Sequence, residues 1–600
     1  MVNNKEYESG ADDESHKAQL FNSFNSQDLT DIGEVVASNE MPITMDGFWF
    51  VLNAGVLINT FDFVTVENLF NSKTIGIVKE LQTVVTDNSS VIYGKLPNEK
   101  RYKPSTEINS KTIAMEDTLD DHSYFGPIHA ITLAKVDVMA NTGFNSYETG
   151  NTVTINMPVQ IQKNVKFSTA DEIMFALGIP NMLNPIPAGV LETTNRLQVP
   201  ISLDVSYLAG PDTAHVNASG ISGNLKSTYV LFLLQSAYQR LKDHNVSLII
   251  LNTKESELLQ IDKLQKDVKE RNEKLFDLLK LQISAFNNVT YFLPRGKDGK
   301  PNSAYIPKNH KTYSYELADI YDRLDLLFPD VYDTRYNLQS IIDYIYESWP
   351  IKDGNKIKIR TWTDLFEYND YPENIVSNKS SLLHFRGHLQ RFRKSPMFTD
   401  RKVTSVYLGR EIKNIQSGDV FVIDVGMISS LEEQSFIVGD VMKSINETYS
   451  AAYYKEDNNH KGSRTKKKSK NKVERKRPDF ILIFLDEINR FIPSTQTPKR
   501  MDPVAEQIMR ILISGKLRRT ILFSAQQFKS STDHRLHENT GLHVTAKLGL
   551  SELSSPPYSM LDESTKRNIA RLNKGELVMI HSAFRHPIKI SFPSTKPKWS

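Results

Sequence analysis

The chain has no cysteine in its 600 residues. Disulfides, thiolate zinc sites and cysteine nucleophiles are therefore excluded, and a reducing cytoplasm is a compatible compartment. It has no uninterrupted apolar run long enough to cross a bilayer. Its polar, acidic N-terminus carries no apolar stretch of signal-peptide length. A cytoplasmic chain without membrane contact is the expectation. A dominant charge is also missing, because 73 Lys and Arg face 71 Asp and Glu. The whole-chain balance thus identifies no partner, and local clusters have to carry that argument.

What is present is enough chain for two to four domains, since 600 residues exceed what one core organises. Residues 1–44 are rich in Asn, Ser, Glu and Asp and read as a mobile arm. Between 45 and 165, runs such as GFWFVLNAGVLI, FDFVTVENL, KTIGIVKELQTVV and PIHAITLAKVDVMA are short, β-branched and aromatic. Asn, Gly and Asp punctuate them, and a small β-barrel is predicted. Residues 169–182 read as a short helix leading out of it. IPAGVLETTNRLQVPISLDVSYL supplies two strand-like runs, and VSLIILN at 246–252 reads as a buried strand. From 254 to 400, apolar residues recur at three- and four-residue spacing with charges between them, and a helical insertion is predicted. TSVYLG and DVFVIDVGM then read as strands and 428–454 as a long helix. GLHVTAKLGL, GELVMIHS and HPIKISFP read as strands at the edge of the sheet.

The chemistry concentrates in His215–Thr228, HVNASGISGNLKST. The run VPISLDVSYL before it reads as a strand. KSTYVLFLLQSAYQRLKD reads as a helix with Val230, Phe232, Leu233, Leu234 and Ala237 facing inward. Strand, glycine-containing turn and Lys-Ser at a helix start is the layout of a phosphate-binding loop. Backbone N–H groups and the positive helix end would face the phosphates. Gly220, Ile221, Ser222, Gly223, Asn224, Leu225, Lys226, Ser227 and Thr228 form the candidate nucleotide site. Lys226 would reach the β- and γ-phosphates, and Ser227 would ligate Mg2+. The pattern G-x-x-x-x-G-K-[ST] breaks at one place, where Leu225 stands for the second glycine. If that position needs positive φ, the leucine is strained. An ordinary strand-turn-helix connection is the alternative.

A second stretch, PDFILIFLDE at 478–487, has six consecutive apolar residues and ends in Asp486-Glu487. Lack of alternation predicts a strand buried on both faces, as in a parallel sheet. Carboxylates at the end of such a strand need a partner. Asp486 would hold the metal through water and Glu487 would act as general base on the attacking water. A strand end emerging into solvent is the bland alternative.

Just upstream, NHKGSRTKKKSKNKVERKR at 459–477 holds ten Lys and Arg against one Glu. Most such runs are solvated loops. Its place before the acidic strand favours DNA phosphate, through counterion release. Lys466, Lys467, Lys468, Lys470 and Lys472 are the candidate contacts, with a protein partner as a third reading. PVAEQIMRILISGKLRR at 503–519 reads as a helix with a basic end. RTILFSAQQ is a third apolar run with a polar terminus. An amide at a parallel strand's end can reach a γ-phosphate, and Gln526 is the candidate.

The order of these pieces resembles the HerA branch of the HerA/FtsK superfamily of hexameric DNA-pumping ATPases. The barrel is followed by IPAGVLETTNRLQVPISLDVSYLAGPDTAHVNASGISGNLKST, with its His shortly before the loop. Then come the insertion, the Asp-Glu strand, and SAQQ where the family usually has Ser/Thr-Gln-Arg. LNKGELVMIHSAFRHPIKISFP resembles the family's C-terminal edge. The resemblance spans about residue 45 to the end. It departs at Leu225, at Gln527, where Arg is common, and at ILNTKES (250–256), which replaces a run that commonly begins with Asp and Gly-Glu.

The resemblance implies an α/β, RecA-like P-loop ATPase core in two parts, 166–253 and 401–600, with an N-terminal β-barrel and a helical insertion. It implies ATP and Mg2+ as cofactors and a homo-hexamer with double-stranded DNA in its channel. It implies a partner nuclease or other effector enzyme, in DNA-end processing or anti-phage defence. A basic residue supplied in trans is also implied. Arg518 and Arg519 are the catalytic candidates, with Lys516 behind them, and plain surface charge is the alternative. No carboxylate cluster for cutting DNA occurs outside the ATP site, so a partner would cut. The leading reading is an ATP-driven DNA translocase or helicase. The second is a nucleotide-binding assembly scaffold that activates an effector, which Leu225 favours. The third is a barrel-bearing nucleic-acid-binding protein without ATP chemistry, and the Asp-Glu strand and SAQQ count against it.

Overall fold

The computed structural model describes residues 31–69, 72–86, 129–142, 157–209, 214–223, 225–241, 245–264, 270–328, 337–376, 379–400, 404–449, 477–494 and 502–593. The chain divides into two compact units, residues 1–176 with 193–197, and residues 177–192 with 198–600.

The first unit is a closed antiparallel barrel in the order β1-β2-β5-β4-β3-β6. Its strands are β1 (Gly33–Val36), β2 (Gly47–Leu52), β3 (Phe63–Glu67), β4 (Lys73–Thr86), β5 (His129–Asn141) and β6 (Asn164–Phe167). Inward positions carry Phe48, Phe50, Val64, Val66, Val78, Val136 and Val165, which form one buried cluster. Each such side chain contributes roughly 1.5–3 kcal/mol by leaving water. The barrel starts earlier than the sequence indicates. β1 falls inside 1–44, the stretch read as an arm. Its GEVV is too short to display a period, and it is fixed by pairing with β2 and β6. Residues 1–30 of that arm lie outside the described residues.

The second unit is built on a 12-stranded sheet in the order β12-β11-β15-β10-β16-β17-β9-β18-β19-β20-β7-β8. The chain enters through the hairpin β7 (Pro185–Glu192) and β8 (Gln198–Asp204). Next come β9 (Val216–Ser219), helix α1 (Lys226–Arg240) and β10 (Val246–Asn252). Helix α2 (Glu270–Leu278), β11 (Val289–Pro294), β12 (His310–Tyr313), helix α3 (Asn337–Glu347), the separate hairpin β13 (Ile351–Asp353) and β14 (Lys356–Ile359), and helices α4 (Lys379–Leu389) and α5 (Leu408–Lys413) follow. β15 (Val420–Asp424), α6 (Leu431–Thr448), β16 (Phe480–Leu485), α7 (Pro503–Arg518), β17 (Thr520–Gln526), β18 (Leu542–Thr545), β19 (Glu576–His581) and β20 (Ile588–Ser591) complete it.

Strands from β12 to β18 in that order run parallel, and β19, β20, β7 and β8 add antiparallel pairs. Every residue of β10, β15 and β17 is buried. A parallel sheet covered on both faces selects such unbroken β-branched and aromatic runs. α6 starts at Ser430, whose hydroxyl accepts the Glu433 N–H, and α7 starts at Asp502, which caps two N–H groups ahead of Pro503. Ile437 and Val441 of α6 share a core with Val504, Ile508 and Ile511 of α7.

Four expectations are corrected here. The strand entering the candidate loop is VNAS, β9, inside the stretch read as loop. VPISLDVSYL instead ends the hairpin at the sheet's far edge, where its apolar-polar alternation suits a strand with only one neighbour. The 254–400 segment is not wholly helical. VTYFLP and HKTY leave it to become β11 and β12, parallel to β15, because their β-branched and aromatic side chains fit a buried pleat. TSVYLG supplies only an isolated bridge, Tyr313 with Val406, before turning into α5. β18, β19 and β20 are interior strands, since the β7–β8 hairpin extends the sheet beyond them.

Candidate phosphate-binding site

In a parallel sheet the loops after the strands gather at one edge. Here the C-terminal ends of β9, β16, β17 and β10 lie side by side, which places the candidate loop and the acidic pair at the same edge, one strand apart. The loop root is fastened on both sides. Gly220 N–H donates to Gln527 O at 3.3 Å, Ile221 N–H to Lys547 O at 3.2 Å, and Ala546 N–H to Ser219 O at 2.8 Å.

The loop needs left-handed backbone three times among its described residues. Gly220 has φ 155° and packs so tightly that a Cβ would stand 2.7 Å from Ala546 Cβ, and Gly223 has φ 83°. Leu225 has φ 62° and ψ 21° as the residue before α1. The position where the loop pattern has its second glycine therefore does require positive φ, and the leucine adopts it at a cost of roughly 1–2 kcal/mol. Among the described residues, the N–H groups of Ser222, Gly223 and Leu225 find no backbone acceptor. Together with the first N–H groups of α1, which have no acceptor within their own helix, they form a cradle of donors suited to an anion. Asn224 lies outside the described residues.

Lys226 opens α1 and is almost wholly buried, as is Thr228. Burial is the main influence on Lys226 and lowers its pKa; Asp486 and Glu487 act in the opposite sense and Lys254 with it. A buried ammonium with its charge opposed by the surroundings is one that gains from an incoming anion.

Ser227 links the two halves of the site, its Oγ donating to Asp486 Oδ2 at 3.0 Å. Asp486 follows β16 and is buried, and its Oδ1 accepts the Glu487 N–H at 2.9 Å. Adjacent residues of a strand point to opposite faces. Glu487, two residues past the end of β16, leaves the extended line of the strand by taking φ 51°, ψ 43°, a conformation that costs a non-glycine residue energy and recurs at functional sites. The result is that both carboxylates meet the same cation. Lys254 Nζ lies 2.8 Å from Asp486 Oδ2 and 3.0 Å from Glu487 Oε1.

Lys254 belongs to the turn after β10, and sequence reasoning did not assign it. The one signal was the departure of ILNTKES from its family pattern. Burial works against its charge, but Asp486 and Glu487 outweigh this and raise its pKa well above the ordinary range. Glu257 stands near the same charges; burial raises its carboxyl pKa, with Lys254 and Lys226 pulling it down.

The remaining candidates are dispersed. Gln526 is fully buried, and its side-chain amide is committed to Asn217 of β9. Arg519 caps the end of α7 with φ 57° and lies 5.2 Å over the Phe480 ring. It precedes β17 and so stands at the opposite end of that strand from Gln526, about 23 Å away at roughly 3.3 Å per residue. Arg518 ends α7, but its side chain and that of Lys516 lie outside the described residues. So do Lys466, Lys467, Lys468, Lys470 and Lys472.

His215, just before β9, is a strut. Its Nδ1 accepts the Leu522 N–H at 2.9 Å, and its Nε2 donates to Leu512 O at 3.1 Å. These contacts bind β9 to β17 and α7.

The oxygens of Ser227 and Asp486 form a donor pair of the hard type that Mg2+ selects, placed where the loop's anion cradle ends. Among the described residues, no group of three or more His, Cys, Asp or Glu is arranged to hold a metal on its own. No described helix is long and apolar enough to cross a membrane.

No protein-family model matches the chain, and no curated protein matches it. Among solved structures it is similar to the bacterial conjugative coupling protein TrwBdeltaN70 in its unbound form. That match has 10% identity and a TM-score of 0.37, over 67% of this chain and 90% of that one. The plasmid coupling protein TrwB in complex with ADP and Mg2+ is similar at 12% identity and a TM-score of 0.37, over 64% of this chain and 86% of that one. The genome packaging NTPase B204 from Sulfolobus turreted icosahedral virus 2, in complex with ATP-gammaS, is similar at 8% identity and a TM-score of 0.26, over 63% of this chain and 97% of that one.

Proposed function

We propose that this chain is a nucleoside-triphosphatase of the HerA/FtsK type, with a RecA-like core, that assembles as a ring and moves on double-stranded DNA. The observation that carries the reading is the 3.0 Å hydrogen bond from Ser227 to Asp486. It joins a cradle of loop N–H groups to a buried acidic strand end, which is the junction at which a nucleotide's terminal phosphates and its metal would sit. The strand order β10-β16-β17-β9-β18 supports it, because it sets one strand between the loop strand and the acidic strand.

In this reading the loop from Gly220 to Thr228 binds the phosphates of ATP, and Lys226 neutralises the two terminal ones. Ser227 and Asp486 would hold Mg2+, which when bound supplies positive charge to the reacting phosphates. Glu487 takes the proton from the attacking water. Gln526 acts through the loop root, and Arg518 or Arg519 serves a neighbouring subunit's nucleotide. The basic stretch from Lys466 to Lys472 contacts DNA, and a nuclease or other effector works alongside, in DNA-end processing or defence against phage.

The test is ATP hydrolysis by the full chain with and without duplex DNA, beside Lys226→Ala and Glu487→Gln. Turnover should rise with DNA and vanish in Lys226→Ala, and Glu487→Gln should retain bound ATP. Normal hydrolysis in both variants would sink the site assignment.

One observation favours a second reading, a nucleotide-binding scaffold that activates an effector with little turnover of its own. Leu225 strains the loop. A well-folded ring that binds ATP but shows no DNA-stimulated turnover would select this alternative.

A further inference from the structure

We propose that Lys254 is a resident counter-cation that closes the Asp486–Glu487 pair to free divalent metal, so that metal enters only together with nucleotide phosphates. The proposal rests on the phosphate-site reading above and assigns a role to a residue outside the loop and the acidic strand.

The contact is built rather than incidental. Asp486 Oδ2 already accepts from Ser227 Oγ and from Lys254 Nζ, and Oδ1 from the Glu487 N–H. No oxygen of that carboxylate faces the site uncommitted. The turn that presents Lys254 is itself held. Asn252 Nδ2 donates to Glu255 O at 2.6 Å and to Asp424 Oδ1 at 2.8 Å. Gly426 backs the same turn so closely that a Cβ there would lie 2.6 Å from Glu255 N. The Lys254 backbone is therefore fixed, and releasing the carboxylates requires only that its side chain rotate.

Charge decides when that happens. Lys226 and Lys254 stand among Asp486, Glu487 and Glu257. A divalent ion arriving alone meets an ammonium already seated on its ligands and is repelled by it. A nucleotide brings several negative charges to the loop. These can receive the displaced ammonium as well as share the metal. Lys254 thereby makes metal and nucleotide binding mutually dependent, a coupling between two ligands that is reciprocal by linkage.

The probe is Mn2+, followed by electron paramagnetic resonance on the full-length protein. Without nucleotide, K254M should bind Mn2+ at least roughly tenfold tighter than wild type, since Lys254 Nζ lies within hydrogen-bond reach of both carboxylates and a like charge that near to a bound ion is worth about a decade or more. K254R, which keeps the cation, should match wild type. Asp486→Asn added to K254M should erase the gain. ATP should tighten Mn2+ binding by wild type far more than by K254M. Equal Mn2+ affinity of wild type and K254M without nucleotide would overturn the proposal. So would a gain that survives Asp486→Asn, because the metal would then sit elsewhere. Failure of the phosphate-site reading has a different signature: ATP would leave Mn2+ affinity unchanged in all these proteins, whatever the ratio between K254M and wild type.

Discussion

The amides of Asn217 and Gln526 face each other across β9 and β17 and bond reciprocally. Asn217 Nδ2 donates to Gln526 Oε1 at 2.9 Å, and Gln526 Nε2 donates to Asn217 Oδ1 at 3.0 Å. Asn217 also donates to Ser524 Oγ at 2.9 Å, and all three side chains are buried. Replacing one partner strands the other in an apolar interior. Asn217→Leu should cost about 1–3 kcal/mol, read as a lower urea midpoint. Asn217→Leu with Gln526→Leu should recover part of that loss, and a double variant as unstable as the sum of the singles would remove the pairing argument.

The left-handed Leu225 gives a prediction of opposite sign. Leu225→Gly should raise stability by roughly 1 kcal/mol, because glycine adopts φ 62° without the Cβ clash. Thermal denaturation checks it. A lower melting temperature would mean that the leucine side chain, which lies against the Gly575 turn, contributes more by packing than its backbone costs.

Arg323 is buried and pairs with Asp440 at 2.9 Å and Glu447 at 2.6 Å, with Ser444 Oγ at 2.8 Å. Asp440 is fully buried in α6. Arg323→Ala leaves that carboxylate without a counter-cation and should cost about 3–5 kcal/mol. Changing Arg323 to Met together with Asp440 to Leu should restore most of it, which separates an uncompensated charge from a lost contact in denaturation curves.

His581 predicts acid sensitivity. Burial lowers its pKa from 6.5 to about 4, and its Nδ1 accepts the Ala583 N–H at 3.1 Å. Unfolded chains therefore take up this proton first as the pH falls. The contribution is complete above pH 6.5 and is lost on the way down to about pH 4, on the order of 3 kcal/mol at its fullest. Unfolding free energies measured across that window should fall with pH, and His581→Gln should flatten the slope. Parallel slopes would exclude His581 as a source.

What could be read in the sequence follows from where each signal resides. β10 was predicted at 246–252 and occupies those residues, because an unbroken apolar run is a local signal. β16 was equally plain in its six apolar residues. β9 was not, since VNAS contains two polar side chains that are buried only because Asn217 and Ser219 find partners on β17, on β18 and in Tyr558. Those partners are supplied by tertiary pairing, which hydropathy does not encode. The acidic pair was legible as chemistry, but the cation upon it was not. Lys254 is one lysine in a polar turn, and only the fold brings it to residues more than two hundred positions away. Gln526 was visible as a polar strand end, while its inward commitment depends on the neighbour strand.

The place of β9 between β17 and β18 also governs when the molecule can be made. Asn217 and its partner Ser524 are 307 residues apart in the chain. As the polypeptide leaves the ribosome, the strand carrying the phosphate loop waits for almost all of the second unit before either neighbour exists. Pairings this distant make folding slow, because loop closure precedes any reward. The loop root thus gains its neighbours only after β17 and β18 have been made, and a chain cut short before β18 would lack one of the two strands that hold it.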